Sequence, residues 1–194
     1  MLPAASEGLL DAYVSELVRW NSTIRLIGPK DEAGAAVQVV DSLLPYRETR
    51  LEFPLLDIGS GAGLPAVPLA LLHPGERIVC LEPASKKASF IRHAARALRL
   101  EDFEVHSRKA EEAVTADPSL SGIFMTVTAR AVAAVPVLLA WAEPYLAERG
   151  KVVLGRGDEV IPKVEGWVLE AHSEYPGHEL AGKRTVAVFS RSNR

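Results

Sequence analysis

Three glycines occupy alternate positions in "LLDIGSGAGLPAVPLALL", residues 55–72. Glycine at that density costs chain entropy and packs nothing. It is useful where a backbone must turn sharply and be approached closely. The preceding run, "FPLLDIG", is apolar without alternation, as in a short strand covered on both faces. The following run, "PAVPLALLH", reads as a helix that Pro65 can begin, because its missing N–H falls in the unbonded first turn. Strand, glycine turn and helix together form the opening unit of an open α/β sheet. In such sheets ligands bind beyond the carboxyl ends of the strands.

The rest of the chain repeats that order. "RIVCLE" predicts a second strand, with a helix through "SKKASFIRHAARALRL". "FEVHS" predicts a third strand before a short helix beginning at "EEAV". "IFMTVTAR" predicts a fourth, followed by a helix over "VAAVPVLLAWAEPYLA". "KVVLGR" is a fifth strand after an "ERG" turn, and "GWVLEAHSEY" and "RTVAVFS" pair as a closing hairpin. This alternation predicts a mainly parallel sheet flanked by helices, with right-handed crossovers. Ahead of it, Leu10, Tyr13, Val14, Leu17 and Trp20 recur at helical spacing. Asp31 is placed to cap a second helix that ends before Pro45. The expected organisation is one domain, with residues 1–46 as an N-terminal helical extension on a core of 53–194.

Composition narrows the class. The 194 residues are 48% hydrophobic and 24% charged, with a net charge of −3. That is ordinary globular usage, without the strong basic balance of a nucleic-acid coating protein. No apolar run approaches a membrane span, and the acidic start is unlike a secretory signal. A cytoplasmic location is expected. The single cysteine, Cys80, leaves no internal disulfide and no cysteine zinc cage. The five histidines (73, 93, 106, 172 and 178) show no metal-binding or catalytic spacing, so no metal is expected.

The turn's pattern selects a ligand. It is G-x-G-x-G, and the dinucleotide fingerprint wants its last glycine one position later, where this chain has Leu64. No Lys-Ser/Thr follows, so it is not a P-loop. Gly59, Gly61 and Gly63 instead suit a ligand without a pyrophosphate. Glu82 ends the second strand at the distance where an acid meets both hydroxyls of a ribose, about 20 residues on. Asp57, at the end of the first strand, is placed to support the loop or to face an amino group. Together these features point to S-adenosylmethionine.

At this point the chain resembles the bacterial small-subunit ribosomal RNA guanine-N7 methyltransferases, also called glucose-inhibited division protein B. The resemblance runs from about Tyr13 to Phe189. It is carried by "LVRWNSTIRL" (17–26), "VVDSLL" (39–44), "LLDIGSGAGLPAVPLAL" (55–71), "SKKASFIR" (85–92), "KAEE" (109–112) and "TARA" (128–131). It implies a Rossmann-like class I methyltransferase that uses S-adenosylmethionine on ribosomal RNA or the small ribosomal subunit. A monomer without membrane contact is the separate expectation. By position, Gly59 and Leu64 would contact the cofactor. Ala110, through its backbone, and Glu111 would lie beside the adenine. Arg130 would sit near the cofactor tail and the incoming guanine, as the residue closest to the chemistry.

The chain departs from the family pattern on the expected RNA side. Gln38 replaces a His, Arg25 an Asn, and Ala129 a Ser. The helix carries Lys86, Lys87, Ala88 and Ser89 where Lys-Arg-Val-Arg is usual, and "LGRG" replaces "LKG". A catalytically silent relative that binds RNA, or a nicotinamide-dependent oxidoreductase, are the competing readings. Two basic groups are candidate RNA contacts: Arg92, Arg96 and Arg99 on one helix face with Lys86, Lys87, Arg108 and Lys109 nearby, and Arg19, Arg25 and Lys30 on the extension. The extension is the favoured one. Trp20 is either core or a platform for base stacking.

Overall fold

A computed structural model describes residues 4–47, 49–130, 132–157, 160–175 and 184–192. Two helices come first, α1 (Ala4–Asn21) and α2 (Glu32–Leu43). Asp31 caps α2 as its sequence position predicts, its Oδ1 accepting from the Gly34 N–H at 2.8 Å. Alternating elements follow: β1 (Leu55–Ile58), α3 (Ala66–Leu72), β2 (Ile78–Leu81), α4 (Ser85–Ala97), β3 (Phe103–His106), α5 (Ala110–Ala116), β4 (Phe124–Arg130) and α6 (Val135–Ala142). The chain then forms β5 (Leu146–Arg156), β6 (Trp167–Tyr175) and β7 (Arg184–Arg191).

The strands form a seven-stranded sheet in the order β3-β2-β1-β4-β5-β7-β6. The first five pair in parallel. The predicted hairpin forms, and its second strand, β7, inserts antiparallel between β5 and β6. All four residues of β1 and of β2 are buried, which explains why neither alternates in sequence. Leu55 of β1 and Ile78 and Cys80 of β2 face a core shared with α1, α3 and α4. Their alternates Leu56, Ile58, Val79 and Leu81 face a second core under α5 and α6. Each fully buried leucine or isoleucine contributes about 1.5–3 kcal/mol. Tyr13, Val14 and Leu17 set α1 into the first core, so the N-terminal helices share a core with α3 and α4.

Three boundaries differ from the sequence reading. Strand β5 starts at Leu146, and the "ERG" segment lies inside it as an irregularity: Phe124 pairs with Leu146, but Thr126 pairs with Lys151. Gly150 permits this, since a Cβ there would meet the Phe124 carbonyl oxygen at 2.6 Å. Helix α6 is shorter than expected and gives way to a 3-10 turn, Glu143–Tyr145, because Pro144 cannot donate to continue it. Pro65 is the N-cap residue of α3 and not its first helical one.

Candidate cofactor site

Strand register builds the site. Ile58 is level with Leu81 of β2 and Ala129 of β4, so Gly59, Glu82 and Arg130 lie one row further on, at the sheet's carboxyl edge. Strand β1 sits where the connections leave in opposite directions, to β2 on one side and β4 on the other. A crevice opens at such a switch point.

The loop after β1 is pinned from below. The Gly59 and Ser60 N–H groups donate to the Leu81 carbonyl at 2.8 and 3.2 Å. The Gly63 and Leu64 N–H groups turn back to the Ser60 carbonyl at 2.7 and 3.1 Å. Gly59, Gly61 and Gly63 have φ of +71°, +59° and +80°, the left-handed region glycine tolerates best. Gly61 is half-buried yet open above: a Cβ there would meet nothing nearer than the Gly59 carbonyl oxygen, at 3.8 Å. Leu64 is buried, its side chain packed into the core shared with α1, α3 and α4.

Glu82 is 5% exposed. Its Oε2 accepts from the Gly61 N–H and its Oε1 from the Ala84 N–H, both at 2.8 Å. Each carboxylate oxygen retains a lone pair for a second donor. The acid predicted to hold a sugar therefore also holds the loop. Asp57 points the other way, beneath the turn, and is buried. Burial pushes its carboxyl up to about 7; the Ser60 hydroxyl, Arg130 and the Ala66 N–H oppose that, while Glu82 adds to it. Its Oδ2 is buried without a hydrogen-bond partner. Of the two roles considered for it, this geometry favours support of the loop.

Ala110 and Glu111 begin α5, past β3 on the same edge. Ala110 is buried, and its carbonyl accepts the Tyr145 hydroxyl; its N–H lies in the helix's first turn, which has no intrahelical acceptor. Arg130 ends β4 and is held by α2. Its guanidinium lies 3.6 Å from Asp41 Oδ2 and donates to Gln38 Oε1 at 3.4 Å. Arg184 approaches the same Asp41 oxygen at 3.5 Å.

Asp41, Gln38 and Tyr13 were not singled out as site residues by sequence reasoning. An acid inside the apolar face of "AAVQVVDSLL" was the available signal, since a buried carboxylate requires a cation. Gln38, a departure from the family pattern, fills its slot by contacting Arg130.

The basic groups separate. Arg92 donates to the Val105 carbonyl at 2.9 Å. With Arg96 and Arg99 it frames a cleft of about 330 Å³ beside Phe103, toward the end of α4 remote from Glu82. On the extension, Arg19 pairs with Glu16 at 2.6 Å. Trp20 packs on Phe90 and His93, with ring centroids 5.6 and 5.1 Å apart, which places it in the packing of α1 on α4. His93 and His106 contact Glu16 and Glu104; His178 lies outside the described residues. Among the described residues, no group of three His, Cys, Asp or Glu could hold a metal, and no helix is long and apolar enough to cross a membrane.

An open glycine floor beside a buried carboxylate with spare acceptor capacity fits an adenosyl ligand. Residues 6–171 match the family model described as rRNA small subunit methyltransferase G. The chain is 36% identical over 156 residues to ribosomal RNA small subunit methyltransferase G of Roseiflexus sp., a match spanning 78% of this chain and 65% of that protein. It is 32% identical over 190 residues to the protein of the same name from Marinobacter nauticus, covering 94% of this chain and 85% of that one. In fold it is similar to the solved precorrin-6y C5,15-methyltransferase of Geobacter metallireducens, with a TM-score of 0.56 at 16% identity, over 88% of this chain and 92% of that one. The chain belongs to the rRNA small subunit methyltransferase G family.

Proposed function

We propose that this chain transfers a methyl group from S-adenosylmethionine to N7 of a guanine in small-subunit ribosomal RNA. The observation that carries this reading is the open backbone over Gly61 beside the buried Glu82 carboxylate. S-adenosylmethionine supplies, when bound, a methyl group on a sulfonium. The Gly59–Leu64 backbone bears that ligand, and Glu82 accepts hydrogen bonds from its ribose hydroxyls. Ala110 and Glu111 border the adenine. Asp57 supports the junction of the loop with α3. Arg130, held by Asp41 and Gln38, faces the cofactor tail and the guanine, whose O6 edge a guanidinium reads well.

Guanine N7 carries an in-plane lone pair, so its attack needs no proton removed and the site needs no general base. The protein's contribution is alignment of nucleophile, methyl carbon and leaving sulfur, which can supply up to ~7–11 kcal/mol. The target base must be unstacked, as in a single-stranded RNA loop. We read residues 1–46 as a helical layer of a single domain with 53–194, supported by the core that α1 shares with α3 and α4, and the protein as a cytoplasmic monomer.

The test is calorimetric titration with S-adenosylhomocysteine, followed by methyl transfer to naked ribosomal RNA and to small subunits. Appearance of N7-methylguanosine by mass spectrometry supports the proposal. Cofactor binding without transfer to either substrate supports a silent RNA-binding relative. Binding of NAD in place of the adenosyl ligand supports an oxidoreductase.

A further inference from the structure

We infer that Tyr13 of α1 is a positioning residue for the cofactor, tying the N-terminal helices to the glycine loop through its hydroxyl. This rests on the reading of that loop as the cofactor floor. Tyr13 is fully buried, and its Oη donates to the Ala62 carbonyl at 2.5 Å across 49 positions of chain. The 62–63 peptide is thereby held at both ends: its carbonyl by Tyr13, its N–H by the Ser60 carbonyl at 2.7 Å. Gly61, the open floor residue, directly precedes it. Its own N–H is held by Glu82.

The fit is close. A Cβ on Gly63 would crowd the Tyr13 oxygen at 3.3 Å and a Val67 methyl at 2.8 Å, so the loop fits against the phenol only as glycine. The ring is fixed from the other side by Phe90 of α4, stacked at 6.4 Å and 27°. Other hydrogen bonds that set the loop come from within it, from Glu82, and from the adjoining β1, β2 and α3. The Tyr13 bond brings in a separate helical layer, the one that also holds Arg130 through Gln38 and Asp41. Burial raises the phenol's pKa well above its ordinary value, keeping the donor protonated at working pH.

A buried carbonyl that loses its donor is free to turn. The peptide at 62–63 then samples orientations that the ligand must select against. The loss falls on cofactor affinity and not on the methyl transfer itself.

The experiment compares Tyr13→Phe, which keeps the ring and removes the hydroxyl, with Val39→Ala, which trims the same helical layer at a residue of α2 buried in the shared core. Tyr13→Phe is expected to raise the Kd for S-adenosylhomocysteine and the KM for S-adenosylmethionine about 3- to 10-fold, the loss of one hydrogen bond. Its kcat at saturating cofactor stays within about 2-fold, as expected when the lost interaction acts on binding alone. Amide hydrogen exchange at Gly63 and Leu64 speeds up in the free protein. Val39→Ala lowers the melting temperature but leaves Kd and loop exchange unchanged. Either wild-type affinity or wild-type loop exchange in Tyr13→Phe overturns the inference, as does an equal loss of affinity in Val39→Ala. A wild-type chain that binds no S-adenosylhomocysteine removes the functional reading, whereas unchanged loop exchange in Tyr13→Phe removes this inference on its own.

Discussion

Exchange of Glu82 for glutamine tests the site where its observed hold on the loop meets its proposed hold on a ribose. The carboxylate accepts the Gly61 and Ala84 N–H groups, one on each oxygen, and glutamine keeps one of those acceptors. Whichever way its amide settles, an NH2 group faces a backbone N–H. One charge-assisted hydrogen bond is lost, worth about 1.5–3 kcal/mol. If the loop carries that loss, the melting temperature falls by about 3–12 °C for a chain of this size. If ligand binding carries it, affinity for S-adenosylhomocysteine falls about 10- to 100-fold.

Affinity alone does not separate the loop from the sugar, because the same carboxylate is proposed to serve both. A double-mutant cycle does. The 2′-deoxy analogue of S-adenosylhomocysteine lacks one hydroxyl that Glu82 would accept. Wild type should discriminate against it, and Glu82→Gln should discriminate much less, leaving a coupling of about 1.5–3 kcal/mol by calorimetry. If both proteins lose the same affinity for the analogue, the coupling is zero. Glu82 is then only a loop anchor, and the assignment of a ribose to it is wrong.

Gly61→Val should abolish S-adenosylhomocysteine binding, because its side chain fills the open floor; the left-handed φ costs about 1–2 kcal/mol, so circular dichroism should still show a folded chain. Asp57, raised from 3.8 to about 7 by burial, binds its proton more tightly when folded. Its contribution to stability is therefore full below about pH 4 and is lost as pH rises through about 7. Urea titrations of wild type at pH 5 and 8 should show that loss, and Asp57→Asn should not. Asp41→Ala leaves Arg130 and Arg184 without their carboxylate. Both guanidiniums are partly exposed, so screening reduces the effect to about 1–3 kcal/mol, with a larger fall in methyl transfer than in cofactor affinity.

The fold was legible wherever a local pattern carries a physical meaning. Unalternating runs such as Leu55–Ile58 announce strands covered on both faces, and Asp31 before an apolar helical stripe announces a cap. The glycine turn and Glu82 were legible for the same reason, since each sits at the end of a recognisable strand. The start of β5 was not, because the sequence shows Gly150 as a turn signal and hides the Phe124 carbonyl that leaves no room for a Cβ. The contacts that complete the site join distant parts of the chain. Burial of Asp41 demands a cation, but no spacing says that residues 130 and 184 supply it. Helical periodicity buries the Tyr13 ring, and a buried hydroxyl must find an acceptor. Its acceptor is a loop carbonyl because the turn at Gly59–Gly63 spends its internal acceptor, Ser60, on two N–H groups. Ala62's carbonyl is left for a neighbour to satisfy, so the feature that made the loop recognisable also created the opening that α1 fills.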